Sequence, residues 1–337
     1  MRVLVLGGTQ WVGAAVATTT VDRGHDVTAL ARGHSGPAPA GVTFMRADRE
    51  IPGAYDAVSG REWDAVIDVA RQPGQVRGAV EALGSRAGHW VFVSSCSVYA
   101  DHDEPGADES SRLLPAHPGD VAEPESYGEG KVACEEAVLR ARGPEGALIA
   151  RAGLIGGPGD HSGRTGYWPL RFAHPATEDG SVLVPDTPDL GTQVIDVRDL
   201  AAWLVESAET RRSGILNAAG DVVPLAEHLE TARSVAGHTG PLVTVSSQWL
   251  VEHGVEEWSG DRSLPLWLHS EGWEAFAARD TSAARAAGLL LRPLAQTLAD
   301  TLAWELRAGP GRPRRAGLSP ADERDLIGAA RTTAPPP

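Results

Sequence analysis

Lysine is almost missing from this chain. Of the 30 basic residues among 337, 29 are arginine, and Lys131 is the single lysine. Arginine has served wherever only positive charge was needed, as in the drift of a GC-rich genome. The surviving lysine therefore points to chemistry that a guanidinium cannot perform. Cysteine is also scarce. Cys96 and Cys134 permit one disulfide at most and no thiolate metal cluster, which fits a reducing compartment. Positive charge is outnumbered, with a formal net charge of −15 and a pI near 5.2. That argues against affinity built on neutralising nucleic-acid phosphates. No apolar run approaches the roughly 20 residues that cross a bilayer. The opening MRVLVLGGT runs straight into a glycine turn and lacks the regions of a signal peptide. These absences predict a cytoplasmic chain with neither a membrane nor a nucleic-acid partner, and no metal site.

What is present is a globular mixture, 42% hydrophobic and 22% charged, long enough for one large or two intimate domains. Short apolar runs at 2–6, 26–30, 42–46, 63–70, 89–93 and 147–152 alternate with helical patterns at 11–23, 74–83 and 127–142. The run WDAVIDVA is nearly continuous, as expected of a parallel strand covered on both faces. The alternation predicts an α/β fold, a Rossmann-type doubly wound parallel sheet with ligands at the strands' C-terminal ends. After residue 153 the pattern fades. Residues 194–197 read as a strand returning to the core, followed by a helix over 200–210. A stretch with Trp249, Trp258, Trp267 and Trp273 precedes a helical segment over 283–307. A Pro/Arg/Gly linker covers 309–316, then a short helix starts at Ser319-Pro320 before a loose tail at 332–337. The expected organisation is a nucleotide-binding domain over 1–153, its core completed by about 190–220. A smaller, discontinuous substrate-binding region covers 154–190 and 221–308, and a linker, short helix and tail cover 309–337.

Three constellations carry chemistry. Gly7-Gly8-Thr9-Gln10-Trp11-Val12-Gly13 follows the first strand and opens a helix, so backbone can approach a pyrophosphate at the helix's positive end. Gly7 permits the turn, Gly8 widens access, and Gly13 lets the helix pack on the strand. The second strand ends Leu30-Ala31-Arg32-Gly33-His34, without the carboxylate that binds a ribose 2′-hydroxyl in NAD enzymes. Arg32 is then either a partner for a 2′-phosphate, favouring NADP(H) over NAD(H), or a solvated surface arginine. Asp48 is either an acceptor for the adenine amino group or a loop cap. Third, Tyr127 and Lys131 are four apart on one helix face, with Ser94 and Ser95 at the end of an upstream strand. A phenol is a poor base at neutral pH, and a neighbouring ammonium favours its phenolate. A serine hydroxyl holds a substrate oxygen and steadies its developing charge.

Taken together, GGTQWVG, SSCSVY, YGEGK, RAGLIGGPG and VIDVRDLA resemble the extended short-chain dehydrogenase/reductases, the superfamily of NAD-dependent epimerases and dehydratases. The resemblance spans nearly the whole chain. It implies Tyr127 as general acid/base, Lys131 as its activator and ribose anchor, and Ser95 as the group orienting the substrate oxygen. It places Ser94 in the cofactor cleft and Ala70 beside the nucleotide.

Departures narrow the substrate. Gln10 replaces the middle glycine of the turn, a variant similar to actinobacterial reductase-like members and chloroplast stem-loop-binding relatives. Cys96-Ser97 stand where dehydratases of the family carry Asp-Glu. Leu154 and Gln193 stand where sugar-nucleotide enzymes often carry Asn and Arg. Tyr167, Trp168 and Arg171 fall where the substrate loop begins, and read either as substrate contacts or as a packed segment joining the two halves. The expected function is NAD(P)H-dependent reduction of a ketone, or oxidation of a secondary alcohol, on a small polar molecule of secondary metabolism, by a homodimer. The alternatives are a sugar or sugar-nucleotide epimerase with tightly bound cofactor, and a non-catalytic nucleotide-sensing or RNA-binding protein on the same fold.

Overall fold

The computed structural model describes residues 1–333, so the tail expected at 332–337 lies largely outside the described residues. The first half runs β1 (Arg2–Leu6), α1 (Trp11–Asp22), β2 (Asp26–Ala31), β3 (Thr43–Arg46), α2 (Asp56–Ser59), β4 (Ala65–Asp68), α3 (Pro73–Leu83), β5 (Trp90–Ser95), α4 (Tyr127–Arg142) and β6 (Ala147–Ala152). Then come β7 (Leu154–Gly156), α5 (Arg164–Ala173), β8 (Val182–Pro185), β9 (Gly191–Asp196), α6 (Val197–Thr210) and β10 (Gly214–Ala218). The remainder is β11 (Val222–Pro224), α7 (Leu225–Ala236), β12 (Leu242–Val245), α8 (Ser247–Glu252), β13 (Glu256–Glu257), β14 (Ser263–Leu264), α9 (Ser282–Ala286), α10 (Leu294–Ala308) and α11 (Pro320–Thr333).

The main sheet is seven-stranded, in the order β3-β2-β1-β4-β5-β6-β10, and every pairing is parallel. Side-chain alternation along each strand divides the core into two layers. Val3 and Val5 face one way, onto Val16 of α1 and Leu200, Trp203 and Leu204 of α6. Leu4 and Leu6 face the other, onto Val76 and Leu83 of α3 and Cys134 and Val138 of α4. Strand order reverses between β1 and β4, which opens a crevice at their carboxyl ends, the usual place for a ligand in such sheets.

One expected strand belongs elsewhere. The 194–197 run lies in β9, which pairs with β7 and β11 in a separate three-stranded sheet. The strand that returns to the main sheet is β10, in register with β6 from Gly214↔Leu148 to Ala218↔Ala152. Two short apolar runs look alike in sequence, and only tertiary pairing distinguishes them. The second half has its own core, built from α5, α7, α10, α11 and the strands around them. The 309–316 stretch packs down as an ordered strap: Arg312 and Arg314 pair with the fully buried Glu305 at 2.6 and 2.7 Å. Among the described residues no helix is long and apolar enough to cross a membrane.

Candidate functional site

At the crevice, the glycine turn is dictated by close approach. Gly7 has φ +94°, where an L side chain is strained, and a Cβ on Gly13 would come 2.2 Å from the Gly7 carbonyl oxygen. Both positions need glycine for α1 to start directly above the end of β1. Gln10 caps that helix without a side-chain hydrogen bond, which leaves the first N–H groups of α1 free of side-chain capping. Such an end suits an anion. Trp11 turns away from the crevice, its indole N–H donating to the Pro158 carbonyl at 2.9 Å.

A cleft of about 410 Å³ runs along these strand ends, lined among others by Gly7, Thr9, Gln10, Arg32, Asp48, Ala70, Arg71 and Tyr127. Of the other expected cofactor residues, Gly8, Trp11, Val12 and Gly13 do not line the cleft. Ser94 also departs from expectation. It is buried, and its hydroxyl donates to Glu135 Oε1 at 2.5 Å instead of lining the cleft. Arg49 enters the cleft wall unforeseen. It grips Asp68 twice at 2.8 Å, and the Asp68 charge keeps the guanidinium firmly protonated against the cost of burial. Arg49 is thereby committed inside the protein. Arg32 is exposed, its side chain makes no ion pair among the described residues, and His34 and Ser35 line the same wall. Asp48 accepts the Glu50 N–H at 3.1 Å, and both residues border the cleft.

Tyr127 opens α4, and Lys131 lies one turn later on the same face. The ammonium is 2% exposed and donates to the Ala70 and Val93 carbonyls, each at 2.7 Å. A lysine has three donors, so one is left for a ligand. Phe92 carries its ring centroid 4.7 Å from the same nitrogen. Ser95, at the end of β5, is tied into its own turn: its Oγ donates to Ser97 Oγ and accepts the Ser97 N–H, both at 3.1 Å. Arg71, which the sequence did not single out, holds its guanidinium 5.1 Å from the Tyr127 ring centroid.

Behind Ser95 lies a buried polar layer. Arg151 pairs with Glu135 at 2.8 Å, and Tyr99 donates to Asn217 at 2.6 Å while accepting from Arg151. Cys96 borders this layer, and burial pushes its thiol up to about 12, which makes it a poor nucleophile. Gln193 brackets the Arg279 backbone, accepting its N–H at 3.1 Å and donating to its carbonyl at 2.8 Å. Tyr167, Trp168 and Arg171 are not at the cleft. They lie on the buried face of α5: Trp168 donates to Pro265, and Arg171 pairs with Glu323 at 2.6 Å. Their aromatic character serves the second core. Arg164, in the first turn of the same helix, stacks 5.2 Å from the Trp258 ring centroid, and burial pushes its guanidinium pKa below the ordinary value.

Comparison with known proteins gives the family and the fold. The model of the NAD dependent epimerase/dehydratase family matches residues 3–219. A protein named 2′-dehydrokanamycin reductase, from Streptomyces kanamyceticus, is 31% identical over 75% of this chain and 71% of its own length. The chloroplast stem-loop binding protein of 41 kDa b from Arabidopsis thaliana is 26% identical over 70% of this chain and 63% of its own. Among solved structures, UDP-glucuronic acid 4-epimerase from Bacillus cereus in complex with NAD superposes with a TM-score of 0.65. The alignment covers 91% of this chain and 99% of that one at 15% identity, a likeness of fold.

Proposed function

The chain belongs to the NAD dependent epimerase/dehydratase family, a family of NAD(P)-dependent enzymes, and on that premise we propose that it is an NADPH-dependent ketone reductase. A nicotinamide held along this cleft would supply hydride for the carbonyl carbon of a small polar substrate, or accept it in the reverse direction. Tyr127 gives its phenolic proton to the carbonyl oxygen as charge develops there. Lys131, with one donor to spare, anchors the ribose and holds positive charge behind the phenol. Ser95 exchanges its bond to Ser97 for one to the substrate oxygen, so that oxygen sits between two hydroxyls. The first turn of α1 would hold the cofactor's pyrophosphate, and Arg32 its 2′-phosphate.

The observation that carries this reading is the placement of Tyr127 on the cleft wall with Lys131 fixed one helical turn behind it by two carbonyls. The likeness to a protein named as a reductase supports the direction of the chemistry. Arg32 supports NADPH, as the uncommitted guanidinium beside β2. Calorimetry of NADPH and NADH on wild type and Arg32→Ala tests it. NADPH is expected to bind at least tenfold tighter, about 1.4 kcal/mol, and the substitution to remove most of that preference. NAD that arrives bound and does not leave would overturn the reading in favour of an epimerase.

A further inference from the structure

A second cavity, of about 610 Å³, lies between α8, β13 and the loop that follows β14. It shares no lining residue with the Tyr127 cleft, and its size suits a small molecule. The two linings differ in kind. Arg32, Arg49 and Arg71 border the cleft, whereas neither arginine nor lysine borders the second cavity. Its aromatic side is made by Trp258, Trp273 and Phe276. Phe276 meets Trp258 edge-on at 5.4 Å and Trp273 at 5.6 Å. Leu268 adds apolar surface, and Glu256 and Glu257 supply the charge.

The two carboxylates do different work. Glu257 is spent on the wall itself. Its Oε1 accepts from Ser270 Oγ at 2.6 Å and lies 3.0 Å from His269 Nε2, and its Oε2 accepts the His269 N–H at 3.0 Å. Glu256 is exposed and forms no ion pair among the described residues. A Cβ on Gly260 would overlap its Oε2, so glycine there leaves this carboxylate its room. Negative charge is in excess around the cavity as well. Residues 251–276 carry six acids, Glu252, Glu256, Glu257, Asp261, Glu271 and Glu274, against one arginine, Arg262, which pairs with Asp322. Arg164 lies 5.2 Å from the Trp258 ring centroid but does not line the cavity. Trp258 is also held at a cost. Its φ of +63° puts a bulky residue in the left-handed region, and such strain clusters at ligand sites.

Aromatic faces beside a carboxylate without a partner attract an ammonium group twice, through the ring quadrupole and through charge. A bare metal ion does not fit, because among the described residues no three His, Cys, Asp or Glu side chains could hold one. We propose that this cavity is a binding site, separate from the Tyr127 cleft, for a small organic cation, an ammonium group carried on an apolar body. The apolar body packs on Phe276, Trp258 and Leu268, and the ammonium sits between the rings and Glu256. The inference does not depend on the reaction assigned to Tyr127.

The test is calorimetry on the full chain at pH 8 and constant ionic strength. The probes are benzyltrimethylammonium, benzyl alcohol and phenylacetate, which share a ring and differ in charge. Benzyltrimethylammonium is expected to bind saturably at one site, roughly tenfold or more tighter than benzyl alcohol, and phenylacetate not to bind. Trp273→Ala is expected to weaken the cation roughly tenfold, and Glu256→Gln to weaken it while leaving benzyl alcohol unchanged. Glu256 is exposed and Trp273 is 44% exposed, so both variants should melt as wild type does. Should Trp273→Ala fail to fold, Glu256→Gln carries the comparison. The proposal is overturned if wild type does not bind the cation, or if Glu256→Gln binds it as wild type does. Equal binding of cation and alcohol also overturns it, and would make the cavity an uncharged docking groove for a protein segment or a second copy. Displacement of the probe by NADPH would place it in the Tyr127 cleft and overturn the proposal too.

Discussion

Lys131 Nζ and the carbonyl oxygen of Ala70 are 2.7 Å apart, and Ala70 is held from its other side as well. Its N–H donates to Asp68 Oδ1 at 2.9 Å, on the carboxylate that Arg49 grips through two 2.8 Å bonds. The ammonium is thus placed through one residue, Ala70, whose N–H a buried ion pair holds. Arg49 and Asp68 are positioning residues for Lys131, acting through Ala70.

That geometry explains why one lysine persists among 29 arginines. Two carbonyls converge on a single nitrogen in a pocket where the side chain is 2% exposed. A planar guanidinium cannot present its charge at that point. Lys131→Arg is expected to fold, and to lower kcat/KM at least a hundredfold, about 2.7 kcal/mol of transition-state stabilisation. A variant retaining a tenth of wild-type activity would show that only charge is required.

Tyr127→Phe removes the proposed proton donor without changing the ring against which Arg71 lies. Reduction is expected to slow by roughly 10²–10⁴-fold, with NADPH affinity unchanged. Steady-state rates and calorimetry on the same preparation check it. Parallel loss of nucleotide affinity would assign Tyr127 to binding instead of proton transfer.

Arg49→Met leaves the Asp68 carboxylate, with its 0% exposed side chain, without its partner. Removing one member of a buried pair costs about 3–5 kcal/mol. Urea unfolding should report a loss of that order, and replacing Asp68 by Leu in the same chain should recover part of it. An unchanged midpoint for Arg49→Met would dismiss the ion pair as a determinant of this corner of the site.

Both thiols are expected to be inert. Burial pushes Cys96 and Cys134 each up to about 12. At pH 8 a disulfide reagent such as Ellman's should titrate fewer than one thiol in the native chain and two after denaturation. Rapid native modification of Cys96 would mean that the layer behind Ser95 opens readily.

Asp196, the cap of α6, gives a pH signature. Burial alone would raise its carboxyl pKa, but hydrogen bonds and charge from Arg198, together with the charge of Arg292, hold it below the ordinary value. A depressed folded-state value adds stability above the unfolded aspartate pKa near 3.9, and that stability is lost as pH falls through the folded value. Asp196→Asn should therefore melt lower than wild type at pH 7, and the gap should close as pH drops below about 4. A gap constant from pH 7 to pH 3 would refute this assignment.

Patterns with strong local causes were legible in the sequence. Both α4 and β6 have the bounds that their apolar spacing predicts, and the Tyr127–Lys131 spacing follows from helix geometry. What was not legible depends on partners. Among 29 arginines nothing local distinguishes Arg49, matched to Asp68, from Arg279, which forms no ion pair among the described residues. That difference arises only when distant carboxylates fold beside one and not the other. Tyr167, Trp168 and Arg171 stayed open between two readings for a related reason. An aromatic cluster signals burial, and which surface buries it is decided by α7 and α10, far along the chain.

The outermost strand of the sheet also has a consequence for synthesis. β6 ends at Ala152, whereas its neighbour β10 starts at Gly214. A growing chain therefore leaves the ribosome with β6 as an open edge, its backbone donors and acceptors unmet, until the whole intervening stretch has been made. The nucleotide-binding layer cannot finish folding vectorially. It waits for a strand delivered from beyond the first part of the other half, so truncation anywhere between the two strands leaves an adhesive edge and not a smaller working protein.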